Sequence, residues 1–227
     1  AWDGMEDRTP KWNSGLGTAH KNFEASIAFD AIYDMLSEKE RIKIAKGIVL
    51  LGIQPSLADW VSKDTRIHSL NSMGHNWWSS VVFQAGIAAL AVKTEVPEAK
   101  KWAEDIMTAS KEWFGFSGSV LENKRSNFDP DGGFYESVTY ANFGVSEYLM
   151  FRLAWTNTFS PIQMPYDKLL EKTATWFINS AYPNSGNLMS LNFGDSSPYA
   201  NGDRVIKLML ALGFNNENYN WYIKQTE

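Results

Sequence analysis

The first residues that could do chemistry are a histidine and an asparagine side by side, His75 and Asn76, in the segment GHNWW at residues 74–78. An imidazole and a carboxamide can together hold an anion and move a proton. The segment stands where an apolar helix is expected to begin, so the helix would orient both side chains. We therefore predict a catalytic pair, in which Asn76 binds an anion and His75 assists it or acts as the base.

A tyrosine in the second half of the chain is the next candidate. Tyr140 comes about one helical turn after the glycine-rich segment DGGFYE at residues 131–136. A phenol can carry a proton once a cationic or donor-rich site lowers its pKa from about 10. We predict that Tyr140 donates a proton to a leaving oxygen. Tyr140 is also the base when the proton that is removed and the leaving oxygen lie on the same face of the substrate. Only the fold can bring Tyr140 close to His75 and Asn76.

Each candidate also has a purely structural interpretation. His75 can be a helix-start histidine bonded to the backbone, Asn76 is a favoured N-cap residue, and Tyr140 can be a core tyrosine with a satisfied hydroxyl. The tryptophans of the predicted helices are interpreted mainly as packing residues: Trp77, Trp78, Trp102 and Trp113. Trp77 is kept as a candidate for substrate binding because it follows the pair directly.

Composition narrows the class of ligand. The 227 residues are 44% hydrophobic and 21% charged, which predicts one soluble domain or one lobe of a larger protein. No apolar run reaches the roughly 18 residues of a membrane span, so no membrane partner is expected. The net charge of −5 and the lack of a Lys/Arg cluster argue against nucleic acid. A local group of cations could still accept an acidic polysaccharide, and the 32 aromatic residues (10 Trp, 9 Tyr and 13 Phe) weakly favour a carbohydrate.

Cysteine and histidine content bears on metals and redox chemistry. The chain has no cysteine, which excludes disulfides, thiolate catalysis and thiolate metal sites. Its three histidines lack the paired spacing of metal ligands, so neither a metal nor a cofactor is expected. The sequence begins at Ala1 without an initiator methionine or an apolar leader, and we expect that a leader was removed or that an upstream segment is missing.

Helical periodicity dominates the chain, and strand signals are scarce. Helices are predicted at residues 19–36, from the capping box at Ser37 and Glu40 to Pro55, and at residues 75–92, 97–114, 136–156, 166–181 and 202–212. Residues 1–16, 59–73 and 115–130 are predicted as irregular, and the last of these is long enough to carry function. About seven amphipathic helices in succession indicate an all-α fold of antiparallel helical hairpins. The absence of a strict repeat favours a curved toroid over a solenoid, with residues 1–227 forming one domain or a fragment of one.

Five segments in order along the chain carry a family resemblance. They are AFDAIYD at 28–34, LSEKER at 36–41, HNW at 75–77, the segment from DGG at 131–133 through Tyr140, and FGDS at 193–196. Together they resemble the heparinase II/III-like polysaccharide lyases, including related alginate lyases. One departure is SVT at 137–139, where the family usually has a glycine- and proline-rich tripeptide.

The resemblance implies a fold, an activity and a location. The fold is an incomplete (α/α) toroid followed by a β-sandwich domain with a second catalytic histidine, so we expect this chain to be the helical half. The activity is cleavage of a uronic-acid-containing polysaccharide by β-elimination, in a periplasmic or secreted bacterial protein. The family has Asn or His at the position of Asn76, and the adjacent His75 leaves the division of labour between the two open.

Elimination at a uronic acid sets three tasks: the carboxylate is neutralised, the C5 proton is removed, and the leaving O4 is protonated. Asn76 is assigned to the first task, with His75 assisting or acting as the base, and Tyr140 to the third. The predicted substrate contacts are Trp77, Arg125, Tyr135 and Glu136, with Lys124 or Arg66 as other sources of a cation.

Two further functions stay open at this point. The first is a glycoside hydrolase on a similar toroid, which needs two carboxylates on either side of the bond. Its available acids are Asp129, Asp131, Glu136 and Asp195, of which the first two are interpreted as shaping a loop and Asp195 as a helix cap. The second is a noncatalytic glycan-binding lobe, which would bind sugar without turnover.

Overall fold

The computed structural model describes residues 11–72, 75–191 and 193–226, and of His75 the main chain only. The described chain is mostly helical, with one two-stranded sheet, as an all-α sequence pattern predicts. The helices are α1 (Leu16–Ala31), α2 (Glu38–Ile48), α3 (Gln54–Trp60), α4 (His75–Val92), α5 (Glu98–Gly115), α6 (Val138–Thr158), α7 (Asp167–Asn179), α8 (Asp203–Ala211) and α9 (Tyr219–Thr226). The strands are β1 (Ala181–Asn184) and β2 (Asn187–Ser190). The chain forms two compact units, the first made of the described residues up to Ser110 with Ala154–Ser160, and the second of the remainder.

In the first unit, α1 packs along α4. The prediction of a helix at residues 75–92 is confirmed. The prediction that this helix is central is also confirmed, because apolar residues are buried on nearly all of its sides. Val81, Val82 and Phe83 are consecutive and none is exposed to solvent. A helix that is apolar all round has to lie inside a fold rather than on its surface.

The capping box at the start of α2 is confirmed. The Ser37 hydroxyl accepts a hydrogen bond from the Glu40 main-chain N–H, and the Glu40 carboxylate accepts one from the Ser37 N–H at 2.9 Å. The prediction that Pro55 ends this helix is wrong. A π-helical turn at Val49–Ile53 leads into α3, and Pro55 lies in the first turn of α3, where a missing N–H breaks no helical hydrogen bond. The irregular segment therefore begins after Trp60 rather than at residue 59.

The helical periodicity predicted that α6, in the second unit, begins at Glu136. In the structure α6 begins at Val138. Ser137 is the reason, because its hydroxyl accepts a hydrogen bond from the Tyr140 main-chain N–H at 3.2 Å and caps the helix. The SVT segment at 137–139 therefore caps and begins α6, which carries Tyr140 in its first turn.

Two elements of the second unit were not predicted. One is α9, and the other is the hairpin in which β1 pairs antiparallel with β2. Ser185 and Gly186 form its turn with φ of 50° and 85°, which matches a two-residue turn with both central residues left-handed. The sequence signal was present in Asn184-Ser185-Gly186-Asn187, but the strands are only four residues long and lack clear alternation.

The core of the second unit is aromatic. Phe114 stacks on Tyr166 with ring centroids 4.0 Å apart, and Trp113 meets Phe128 edge to face at 5.1 Å. Trp113 is fully buried, as is Trp78 in the first unit, so the packing interpretation of these two tryptophans is confirmed. Packing rather than sugar binding accounts for much of the aromatic content.

Candidate active site

The Tyr140 hydroxyl is the best-defined candidate group in the structure. Tyr140 lies in the first turn of α6, is only partly buried, and donates a hydrogen bond from its hydroxyl to Asp195 Oδ2 at 3.0 Å. The core-tyrosine interpretation is therefore wrong. The interpretation of Asp195 as a helix cap is also wrong, because its carboxylate binds the phenol and the next helix, α8, begins only at Asp203. The structure joins two residues that are far apart in sequence.

The loop that carries Asp195 is tied to the start of α6 through Thr139. The Thr139 hydroxyl oxygen accepts hydrogen bonds from the Ser197 N–H at 2.9 Å and from the Asn201 side-chain amide at 3.0 Å. It also lies 3.0 Å from the Ser196 hydroxyl, with which it shares a hydrogen bond. These bonds pull the loop against α6 and hold Asp195 beside the phenol.

Gly194 permits this close approach. Its φ of 62° is left-handed, and a Cβ there would overlap the main-chain oxygen of Glu136. A residue with a side chain would have to move the loop away from residue 136. In the FGDS segment, Gly194 therefore allows the loop to lie against residue 136, and Asp195 accepts the hydrogen bond from Tyr140.

The environment of Tyr140 raises its pKa. The main cause is the hydrogen bond to Asp195, and smaller contributions come from burial and from the negative charges of Asp195 and Glu136. The site therefore does not lower the pKa of this phenol, because the charged groups that act on it are the carboxylates of Asp195 and Glu136 rather than cations. The hydroxyl stays protonated through neutral pH, so it suits a proton donor better than a base.

Replacing Asp195 with asparagine should lower the pKa of Tyr140 part of the way towards its ordinary value, because a neutral amide accepts a weaker hydrogen bond than a carboxylate and carries no charge. The titration of Tyr140 can be followed by NMR with labelled tyrosine. Glu136→Gln is the matched control and should give a smaller change, since the charge of Glu136 contributes least. Any activity that needs the protonated phenol should persist to higher pH in the wild type than in Asp195→Asn. An unchanged pKa in Asp195→Asn would show that the carboxylate does not control the phenol.

A pocket of about 600 Å³ in the second unit, here called pocket A, holds two of the predicted substrate contacts. It is lined by Ser117, Lys124, Arg125, Ser126, Asp129, Gly133, Phe134, Tyr135, Trp176 and Phe193. Arg125 and Lys124 are both exposed there, and both can approach a carboxylate. Tyr135 donates a hydrogen bond to Glu136 at 3.2 Å, and burial, followed by the charge of Glu136, raises its pKa. Of the predicted cations, Arg66 is held elsewhere, since its Nε donates to the main-chain oxygen of His68 in the first unit.

Asp129 shapes the turn that forms one edge of pocket A. Its Oδ1 accepts hydrogen bonds from the main-chain N–H groups of Asp131 at 2.8 Å and Gly133 at 3.0 Å, so the loop-shaping interpretation is confirmed for Asp129. Asp131 instead has an exposed side chain 3.9 Å from Lys172 Nζ.

The remaining candidates belong to the first unit. Asn76 lies within the first turn of α4 with 9% of its surface exposed, and its main-chain oxygen accepts a hydrogen bond from Ser79. It is therefore inside the helix rather than the N-cap residue before it. Trp77 is half-buried and meets Trp12 at 6.4 Å, edge to face. The side chain of His75 lies outside the described residues.

Within the described ranges, no group of three His, Asp or Glu side chains could hold a metal ion. His68 is buried between aromatic rings, 4.2 Å from Trp12 and 4.5 Å from Trp60. In the part of the chain that the structure covers, none of the helices has the length and apolar character needed to cross a membrane.

Comparison of the sequence with protein-family models and with curated proteins found no match. Sequence reasoning missed Trp176 and Phe193 as pocket residues and the contact of Asp195 with Tyr140. The GDSSP turn at 194–198 was a signal for a special loop, but it did not reveal the helix against which the loop packs.

Proposed function

We propose that this protein is a polysaccharide lyase that cleaves a uronic-acid-containing glycan by β-elimination, with Tyr140 as the proton donor to the leaving oxygen. The observation that supports this most is the accessible Tyr140 hydroxyl, which Asp195 orients at 3.0 Å and keeps protonated. A leaving sugar oxygen needs a proton as its bond to C4 breaks, and a neutral phenol held at one angle can supply it.

The proposed step balances as follows. A base removes the C5 proton, the C5–H electron pair forms the C4=C5 double bond, and the C4–O4 bond breaks. The departing O4 takes the proton of Tyr140. Asn76 binds the substrate carboxylate and stabilises the charge that develops there, and His75 assists it or acts as the base. Since its raised pKa keeps the phenol protonated, Tyr140 is proposed as the acid rather than the base.

Pocket A supplies the proposed substrate contacts in the second unit. Arg125 and Lys124 attract an acidic sugar, and the Tyr135 ring, which is 36% exposed, can cover a sugar face beside Glu136. Trp77 is proposed as a further contact in the first unit. The partner is an acidic polysaccharide, and no nucleic acid, membrane, metal or cofactor takes part in the proposal.

The finer architecture is proposed on the same resemblance. The helices would form part of an incomplete (α/α) toroid, followed in the full-length protein by a β-sandwich domain that supplies a second histidine. A periplasmic or secreted bacterial location would give such an enzyme access to its polymer. These proposals are supported by the order of the five motif segments along the chain and by the mostly helical fold.

The hydrolase alternative has weaker support. Asp129 is engaged by two main-chain N–H groups, Glu136 accepts from Tyr135, and Asp195 accepts from Tyr140. Asp129 therefore fixes a turn, and Glu136 and Asp195 each orient a tyrosine hydroxyl. A glycan-binding lobe without activity would use pocket A but would have no need of an oriented, protonated phenol.

Product analysis tests the proposal against both alternatives. The full-length protein is incubated with heparan, chondroitin, hyaluronan, alginate and ulvan, and new ultraviolet absorbance is followed. A lyase leaves an unsaturated sugar that absorbs, a hydrolase releases reducing ends without absorbance, and a binding lobe releases nothing. Reducing ends without absorbance, or binding without any product, would overturn the lyase proposal.

Replacing Asn76 with alanine should reduce turnover by about 10²-fold or more, because the developing charge on the carboxylate loses one hydrogen-bond donor. Turnover is measured by ultraviolet absorbance per folded molecule, with folding checked by thermal melting. Ser79→Ala is the control, since it removes a hydroxyl that donates to the Asn76 main-chain oxygen in α4 and leaves the Asn76 carboxamide in place. Normal turnover per folded molecule in Asn76→Ala would assign Asn76 a structural role alone.

A further inference from the structure

A pocket of about 490 Å³ lies at the C-terminal ends of three helices in the first unit. This pocket, here called pocket B, is lined by residues near the ends of α1, α4 and α6 and by residues that follow α1 and α4. Its volume is within the range of pockets that hold small ligands. On α4, its first lining residue is Ile87, which comes 11 residues after Asn76, about 16 Å along the helix axis. Pocket B is therefore separate from Asn76.

Pocket B contains two charged side chains of opposite sign, Asp30 and Lys93. Among the described residues, neither side chain has a hydrogen bond or an ion pair, so the two do not neutralise each other. By contrast, Lys101 and Asp105 of the same unit form an ion pair on α5. Asp30 also lies in the last turn of α1, where the negative end of the helix dipole disfavours a carboxylate. A ligand with both an ammonium group and a carboxylate would neutralise the two charges of pocket B.

The neutral polar side chains of pocket B are also without partners. Thr94 follows α4, and Asn157 and Thr158 end α6. In the part of the chain that the structure describes, none of these three side chains makes a hydrogen bond. Hydroxyl and carboxamide groups both donate and accept. They can therefore satisfy the hydrogen-bonding positions of an ammonium group and a carboxylate that Asp30 and Lys93 leave open.

The largest apolar side chains of pocket B are aliphatic. Ile27 on α1 is 51% exposed to solvent, whereas Leu90 on α4 is 4% exposed. Ile87 precedes Leu90 by one helical turn and lines the same pocket. A ligand that carries an aliphatic side chain would cover Ile27 and remove hydrocarbon surface from water on both partners. The lining therefore combines two opposite charges with an apolar surface.

Tyr33 forms a fixed side of pocket B. Its hydroxyl donates a hydrogen bond to Glu95 Oε1 at 2.5 Å, and its ring meets the buried Phe29 ring edge to face at 5.5 Å. The guanidinium carbon of Arg41 lies 4.7 Å from the centre of the Tyr33 ring. Glu95 and Arg41 do not line the pocket, so they hold Tyr33 from outside it. Because three neighbours fix this ring, a ligand loses little free energy in ordering it.

We propose that pocket B binds a small zwitterion with an aliphatic side chain, of which a free α-amino acid such as leucine is the simplest example. Asp30 binds the ammonium group, Lys93 binds the carboxylate, and the isoleucine and leucine side chains cover the aliphatic group. A ligand with only one charge would leave the other charged residue of the pocket without a partner. This inference is independent of the proposed lyase activity, because none of these residues takes part in the elimination.

Isothermal titration calorimetry on the full 227-residue chain compares four compounds. L-Leucine carries all three features, 4-methylpentanoate lacks the ammonium group, 3-methylbutylamine lacks the carboxylate, and glycine lacks the aliphatic side chain. The wild type should bind leucine about tenfold more tightly than either singly charged compound, which is roughly the value of one hydrogen bond to a charged group. Glycine should bind about tenfold more weakly than leucine, because it buries no aliphatic group.

Charge variants assign each end of the ligand to one residue. Asp30→Asn should weaken leucine binding about tenfold, whereas 4-methylpentanoate should bind no less tightly, since it has no ammonium group to lose. Lys93→Gln should weaken leucine binding by a similar factor, whereas 3-methylbutylamine should bind no less tightly. Asp64→Asn and Lys43→Gln are the matched controls, since both residues are exposed in the same unit and neither lines pocket B. Both controls should bind leucine like the wild type.

Thermal melting confirms that each variant is folded. The inference is overturned if leucine does not bind at millimolar concentrations, or if any of the other three compounds binds as tightly as leucine. Leucine binding that is unchanged in Asp30→Asn or in Lys93→Gln would also overturn it. Ultraviolet assays with polysaccharide test the lyase proposal separately. Unsaturated product from a protein that does not bind leucine would contradict the ligand of pocket B alone.

Discussion

Replacing Tyr140 with phenylalanine should reduce the release of unsaturated uronides by about 10²- to 10⁴-fold while leaving substrate binding nearly intact. The variant keeps the ring on α6 and loses only the hydroxyl that donates to Asp195. A positioned acid or base contributes a rate factor of this size. Turnover is followed by ultraviolet absorbance and binding by calorimetry, so that a loss in kcat is separated from a loss in affinity.

The control for this variant is Tyr182→Phe, which removes a hydroxyl from a tyrosine that is 45% exposed on β1 of the same unit. It should leave both turnover and binding unchanged. Full turnover in Tyr140→Phe would remove Tyr140 from the mechanism. A loss that follows the fraction of folded protein would assign the hydroxyl to stability, through its bond to the loop that carries Asp195.

Replacing Arg152 with alanine should lower the free energy of unfolding of the second unit by about 3 kcal/mol, the lower end of the range for breaking a buried ion pair. The Arg152 side chain is 6% exposed and donates to both carboxylate oxygens of Asp167, at 2.5 and 3.0 Å. It also donates to the Ile162 main-chain oxygen and lies 5.3 Å from the centre of the Phe214 ring. Its removal leaves a carboxylate that is 23% exposed without its cation.

Urea unfolding measures this change, and Lys207→Ala serves as the comparison. Lys207 pairs with Asp203 one helical turn away on α8, where the two side chains are 45% and 33% exposed. Such a pair contributes only about 0.3–0.5 kcal/mol, because water screens it. A loss below about 1 kcal/mol in Arg152→Ala would mean that the arginine's burial cost nearly cancels the attraction of the pair.

Short-range patterns predicted much of the helical fold. The capping box at Ser37 and the apolar run of α4 depend on residues three or four positions apart, and both are confirmed. The π-helical turn before α3 was missed, because a proline such as Pro55 normally ends a helix. The β1–β2 hairpin was missed, because its strands are too short to show a clear alternation of apolar and polar residues. Periodicity detects long elements well and short ones poorly.

The candidate site was predicted less completely. Arg125 and Tyr135 were selected from sequence, and both line pocket A. Trp176 was not selected, because one tryptophan on an amphipathic helix looks like a packing residue until the pocket that it lines is known. Asn76 and Trp77 were selected as neighbours of a histidine, and their catalytic roles stay predictions.

What the sequence determined by itself is local: where the long helices run, that the chain has no thiol chemistry, and which residue types could move a proton. What only the tertiary structure decided is the state of Tyr140. Its pKa is raised because a loop 55 residues away, held by Thr139 and Gly194, delivers the Asp195 carboxylate to the hydroxyl. Electrostatic interactions depend on distances through space, and no spacing along the chain encodes them.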